Sequence, residues 1–116
     1  MHARPDPDER SRELPVESIT EACGLYFRSL RMKDAGMVAQ QHTHDHDHAT
    51  LVASGRARGW SGELWVGDKG PGEAFEIRAG VDHMFQALAP ETLLVCVHDI
   101  ASAESVKRRV SFHSAG

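Results

Sequence analysis

An all-β sandwich or barrel is the fold this sequence predicts, and three observations carry the prediction. Short runs of apolar and aromatic residues recur at close, regular spacing, with side chains alternating in type as on a half-buried strand. Turn formers separate them: Lys33-Asp34-Ala35-Gly36, Ser54-Gly55, Ser61-Gly62 and Asp68-Lys69-Gly70-Pro71-Gly72. A helical reading is confined to residues 102–109, where Ser102 is a candidate N-cap.

The elements follow in order. Residues 1–12 are charged, carry prolines and are poor in apolar side chains, which predicts a flexible arm or one laid against a partner subunit. Residues 15–20 read equally as an edge strand or a short turn. Alternation and aromatics predict a strand over 24–32, a second over 37–44 and a third over 49–53. Residues 56–60 and 63–66 form a hairpin around Ser61-Gly62, and 68–72 read as a loop. Strands over 74–77, 83–88 and 93–100 complete a barrel of residues 13–101, with 102–116 as a tail or short helix.

Length and charge narrow the function. At 116 residues one compact domain with a modest core is expected. A net charge of −4 and the lack of a basic stripe exclude a nucleic-acid surface. No stretch approaches the ~20 apolar residues of a membrane helix, and the polar, acidic start is unlike a secretory signal. The two cysteines, Cys23 and Cys96, lie far apart and give no disulfide framework, so a reducing, cytoplasmic setting is expected.

The chemistry resides in two runs. Between Gly36 and Gly55 the chain reads Gly-x5-His-x-His-x3-His-x6-Gly, which places His42, His44 and His48 at fixed offsets. Downstream comes Gly72-x7-Gly80-x2-His83. On a strand, His42 and His44 share a face with bases roughly 7 Å apart, and tilted imidazoles can then reach one ion at ~2.0–2.2 Å. Asp45, His46 and Asp47 suit a reversal that returns His48 to the same ion. The fourth donor, His83, must arrive on another strand, fed by a turn at Gly80.

At these residues the chain resembles the cupin superfamily, whose first motif is Gly-x5-His-x-His-x3–4-Glu-x6-Gly and whose second is Gly-x5-Pro-x-Gly-x2-His-x3-Asn. Residues 36–55 match the first except that His48 stands in place of Glu. Residues 72–87 match the second at Gly72, Gly80 and His83, with Arg78 and Ala87 replacing Pro and Asn. The resemblance spans roughly residues 25–100. It implies a double-stranded β-helix of the jelly-roll type, a homodimer, and one divalent metal on His42, His44, His48 and His83, as in small bacterial cupins with four-histidine sites. Imidazole suits Fe, Mn, Ni, Cu and Zn alike, and the resemblance favours Mn or Fe.

Bland readings stand beside these. The His/Asp alternation over 42–48 also fits an exposed metal-scavenging tract, although such a tract makes no demand for Gly36, Gly55 or a distant His83. His46 is read as a turn residue facing solvent. His98 shares a strand face with Cys96; both are candidates to line the pocket, beside the plainer readings of a histidine satisfied at a strand end and a small buried hydrophobe. Phe85 and Trp60 are further pocket candidates, although Trp60, Trp65, Phe27 and Phe85 all fit an ordinary core. Glu73 and Glu76 are candidates to supply the missing carboxylate, or solvated hairpin positions.

Four neutral imidazoles leave a divalent ion its full charge, and an octahedral arrangement leaves two adjacent positions open. The reading favoured at this point is a small-molecule oxygenase. A non-redox isomerase or lyase and a non-catalytic binder or sensor of a small ligand or metal are the alternatives. No acid–base pair beside the ligands and no Ser/His/Asp or phosphate-loop signature is apparent.

Overall fold

The computed structural model describes residues 2–5, 14–41 and 47–99. They form nine strands: β1 (Val16–Ala22), β2 (Leu25–Met32), β3 (Val38–Gln41), β4 (His48–Ser54), β5 (Ala57–Ser61), β6 (Leu64–Lys69), β7 (Ala74–Ile77), β8 (His83–Ala87) and β9 (Thr92–Asp99). All strand pairings are antiparallel. Two sheets result, a five-stranded one in the order β1-β2-β9-β4-β7 and a four-stranded one in the order β3-β8-β5-β6. This is the all-β jelly-roll architecture expected from the sequence. Among the described residues there is no helix, and so none long and apolar enough to cross a membrane.

Alternation decides what is buried. Leu30, Met32, Val52, Phe75, Ile77 and Leu94 from the larger sheet meet Ala39, Ala57, Phe85 and Ala87 from the smaller one in a single core. Phe75 and Phe85 form its centre, with ring centroids 4.9 Å apart. Gly59 makes room for them, since a Cβ there would sit 2.6 Å from the Phe75 ring. Gly55, the last residue of the first motif, has φ of +76°, and a Cβ on it would lie 2.6 Å from the Thr92 Cα. The glycine is required both by its left-handed backbone and by the neighbouring strand.

A second apolar cluster of Val38, Trp60 and Met84, with Trp65 against it, lies on the outer face of the smaller sheet. Of the segment read as a flexible arm, residues 2–5 are described, and they lie on this cluster. The Trp60 indole donates to the His2 carbonyl at 2.8 Å, and the His2 ring meets Trp65 edge-on at 4.8 Å. Arg4 pairs with Glu63 at 2.8 Å and reaches Asp82 at 3.4 Å.

Several boundaries move. Residues 15–20 resolve into an edge strand, and β3 is described only as far as Gln41. Asp68 and Lys69, read as loop, end β6 instead. Arg58 on the paired strand holds Asp68 there through two bonds of 2.7 and 2.8 Å. The helical reading of residues 102–109 falls outside the described residues.

Candidate functional site

The register of the larger sheet arranges its inner face in rows. Tyr26 pairs with His98 and Arg28 with Cys96 across β2 and β9. Thr50 continues the Arg28–Cys96 row on β4, and Leu30, Leu94 and Val52 form the next row down. The interior of the barrel is therefore graded, polar at one end and apolar at the other.

His48 opens β4 at the polar end, in line with His98. It is buried, pairs with Ile77 of β7, and its ring lies edge-on to His98 with centroids 6.1 Å apart. Tyr26 stacks on the other side of His98 at 4.6 Å, so three rings run side by side from β2 to β4. One row below, the Thr50 hydroxyl and the Cys96 thiol lie 3.4 Å apart, both buried.

His83 opens β8 in the opposite sheet, flanked by Gln41 of β3 and Ser61 of β5. It is buried at 3 % exposure, on the same inward parity as Phe85 and Ala87. Its Nδ1 lies 2.9 Å from the Val81 carbonyl oxygen. A carbonyl can only accept, so Nδ1 donates, and in the neutral ring that leaves the Nε2 lone pair for another partner. A ring fixed in this way is typical of histidines that bind metal, because the backbone sets both tautomer and orientation.

Residues 78–82 connect β7, the strand paired with His48 on β4, to β8, which opens with His83. The turn leaves Ile77 beside His48, passes Gly80 at φ +79° and delivers His83. Asp47, next to His48, accepts the Ala79 amide at 2.7 Å and lies 3.4 Å from Arg78, which also pairs with Glu76 at 3.1 Å. The Gly62 amide bonds the Asp82 carbonyl at 2.7 Å. A groove of about 400 Å³ lined by Asp47, His48, Ala49, Ala74, Phe75 and Glu76 opens along the β4–β7 edge.

Of the four histidines read as metal ligands, His48 and His83 are thus placed, one in each sheet. His42 and His44, with His46, lie outside the described residues. Their segment departs from Gln41, beside His83, and returns at Asp47, beside His48. Among the described residues no three metal-donating side chains gather. Of the pocket candidates, Cys96 and His98 face inward and Phe85 belongs to the core below. Trp60 is a correction: its indole is on the outer face, under residues 2–5, and not in the barrel. Glu76 is exposed and ion-paired, and Glu73 accepts the Gly70 amide at 2.8 Å. Sequence reasoning passed over Tyr26, Thr50 and the Asp47–Ala79 bond. Arg78, which replaces the proline of the second motif, joins Asp47 to Glu76.

No family model matches the sequence, and no curated protein does. Solved structures do. An uncharacterized conserved protein with a double-stranded β-helix domain from Klebsiella pneumoniae aligns at TM-score 0.60 and 25 % identity, over 78 % of this chain and 83 % of that one. A cupin-2 domain protein from Shewanella frigidimarina aligns at TM-score 0.56 and 16 % identity, over 76 % and 83 %. The fold is the cupin fold. Oxalate decarboxylase from Bacillus subtilis, a protein with Mn(II) centres, carries the same barrel at TM-score 0.56 and 24 % identity. There the match covers 66 % of this chain and 21 % of the longer enzyme. In this cupin barrel His48, His83 and His98 lie at the polar end, and the apolar core closes the other.

Proposed function

We propose that the chain is a metal-binding cupin in which His42, His44, His48 and His83 hold one divalent transition metal, Mn or Fe before Zn, Ni or Cu, and that it acts as a small-molecule oxygenase. The observation that carries the reading is His83: buried, inward, and bonded through Nδ1 to Val81 so that Nε2 is the donor nitrogen. His48 supports it from the facing sheet, and Gln41, the last described residue before His42 and His44, pairs with His83. The Mn(II) centres of oxalate decarboxylase fit the same choice of metal.

The bound ion would supply Lewis acidity and, as Mn or Fe, redox capacity. The chain's residues would do the rest. Tyr26 stacks on His98, which meets His48 edge-on, an aromatic wall suited to a planar conjugated substrate. Thr50 and Cys96 form a polar floor, and the row of Leu30, Leu94 and Val52 beneath it excludes water.

The test is metal analysis of untagged protein followed by oxygen uptake on a panel of diketones, phenols and thiols. About one Mn or Fe per chain, with uptake on one compound class, is the expected result. Zn or Ni without uptake would favour a binder or a non-redox enzyme, and no metal would refute the site.

A further inference from the structure

We propose that residues 2–5 form a strap, closed by Arg4, that positions the turn delivering His83; its bearing on metal affinity rests on the metal reading above. The strap is anchored on the outer face of the smaller sheet. Trp60 is 1 % exposed, and a buried indole N–H needs an acceptor. The His2 carbonyl is that acceptor at 2.8 Å, although it lies 58 positions earlier in the chain. The His2 ring meets Trp65 edge-on, and Trp65 packs against the cluster of Val38, Trp60 and Met84. Pro5 biases Arg4 toward extended backbone, because its ring crowds the helical region of the residue before it.

Arg4 links this anchor to the site. Its side chain is 19 % exposed, bonds Glu63 at 2.8 Å and reaches the Asp82 carboxylate at 3.4 Å. Glu63 is 81 % exposed, so that pair alone adds little. Asp82 is the contact with consequences, because it stands between Val81 and His83. It is held twice, its carboxylate by Arg4 and its carbonyl by the Gly62 amide at 2.7 Å.

The Val81 carbonyl, one residue earlier, orients the His83 ring through Nδ1. A shift of Asp82 therefore moves both the His83 backbone and the carbonyl that sets its ring. Asp47 ties the other end of the same turn through the Ala79 amide. The turn is thus pinned from β4 on one side and by the strap on the other. Contacts that hold a ligand in place commonly change metal affinity about 10–100-fold. An ion pair of 3.4 Å to a partly exposed carboxylate belongs at the low end of that range.

The experiment compares the full chain with Arg4→Ala, Arg4→Lys, Asp82→Ala and the Arg4→Ala/Asp82→Ala double variant. Without metal, hydrogen exchange at the Gly62 amide should quicken about tenfold in Arg4→Ala, while the amides of β9 keep their protection. Mn(II) affinity should fall about tenfold in Arg4→Ala and recover in part in Arg4→Lys, which keeps a cation beside Asp82. The double variant should lose no more than either single one, because both break the same contact. Asp68→Asn breaks an ion pair on the same outer face and should leave Mn(II) affinity unchanged, which separates positioning from a general loss of stability. Unchanged Gly62 exchange in Arg4→Ala, additive losses in the double variant, or Arg4→Lys as weak as Arg4→Ala would each overturn the proposal. A wild type that binds no Mn(II) would refute the metal reading alone, and the exchange at Gly62 would still decide whether the strap orders the turn.

Discussion

The two ends of the barrel interior use the same strands for opposite purposes. Along β4 the inward residues run His48, Thr50, Val52; along β9 they run His98, Cys96, Leu94; along β8, His83, Phe85, Ala87. Each strand passes from polar to apolar within five residues. At the apolar end nothing asks for direction, and packing sets the energy. At the polar end every group needs a partner, and partners fix geometry: Val81 for His83, Cys96 for Thr50, Tyr26 for His98. Such a division predicts that substitutions at one end change stability and those at the other change binding.

The largest effect is expected at the apolar end. Phe85 is fully buried against Phe75, and Phe85→Ala removes a ring that the surroundings cannot replace. It should cost about 3–5 kcal/mol in chemical denaturation. Protein that still folds should bind metal as the wild type does, and a parallel loss of affinity would show that the ends are not separable.

His83→Ala is the converse. It should lower metal affinity by about a hundredfold or more, since even outer-shell partners of a ligand are worth 10–100-fold. Its effect on unfolding without metal should be smaller than that of Phe85→Ala. His42→Ala should match it in severity, and His46→Ala should do little. If the His83 variant keeps full metal occupancy while the His46 variant loses it, an exposed histidine tract replaces the proposed site.

This division was partly legible in the sequence. Gly55 was marked by the first motif, and its positive φ and the closeness of Thr92 give the physical reason for it. His83 was marked by its distance after Gly80, which the turn of residues 78–82 now explains. Trp60 was not legible. It shares parity with Arg58 while Ala57 and Gly59 face inward, so small residues on the core side leave alternation without a clear direction. What buries the indole is residues 2–5, a contact far along the chain that no local pattern announces. Asp68 was assigned to a loop for the same reason: its partner Arg58 lies across the hairpin.

A smaller effect should sharpen the boundary of the polar end. The Asp47 carboxylate joins the start of β4 to the turn before His83 through the Ala79 amide. Asp47→Ala removes that tie from an exposed position, so stability should change little. Metal affinity should fall about tenfold as the two histidine-bearing segments lose their mutual position. Asp47→Asn keeps an acceptor for the Ala79 amide and should recover most of the loss. Equal losses in both variants would mean that charge, and not position, is what Asp47 supplies.

The smallest effect belongs to neither end. On the outer face of the smaller sheet, Asp68 accepts two bonds from Arg58 and one from the Trp65 indole at 3.0 Å. The hydrogen bonds from Arg58 act most strongly and hold the Asp68 carboxyl down at about 2, below its ordinary 3.8. A folded-state value below the unfolded one means that folding is favoured while the group is ionised in both states. The contribution is therefore complete above about pH 4 and fades as pH falls from 3.8 through about 2. Asp68→Asn should lower the melting temperature by a few degrees near neutrality, and the gap from wild type should close across that acid window. Metal affinity should not move, because neither Arg58 nor Asp68 touches the inner face. Melting curves that stay parallel down to pH 2 would show that the pair, despite its short bonds, adds nothing to the fold.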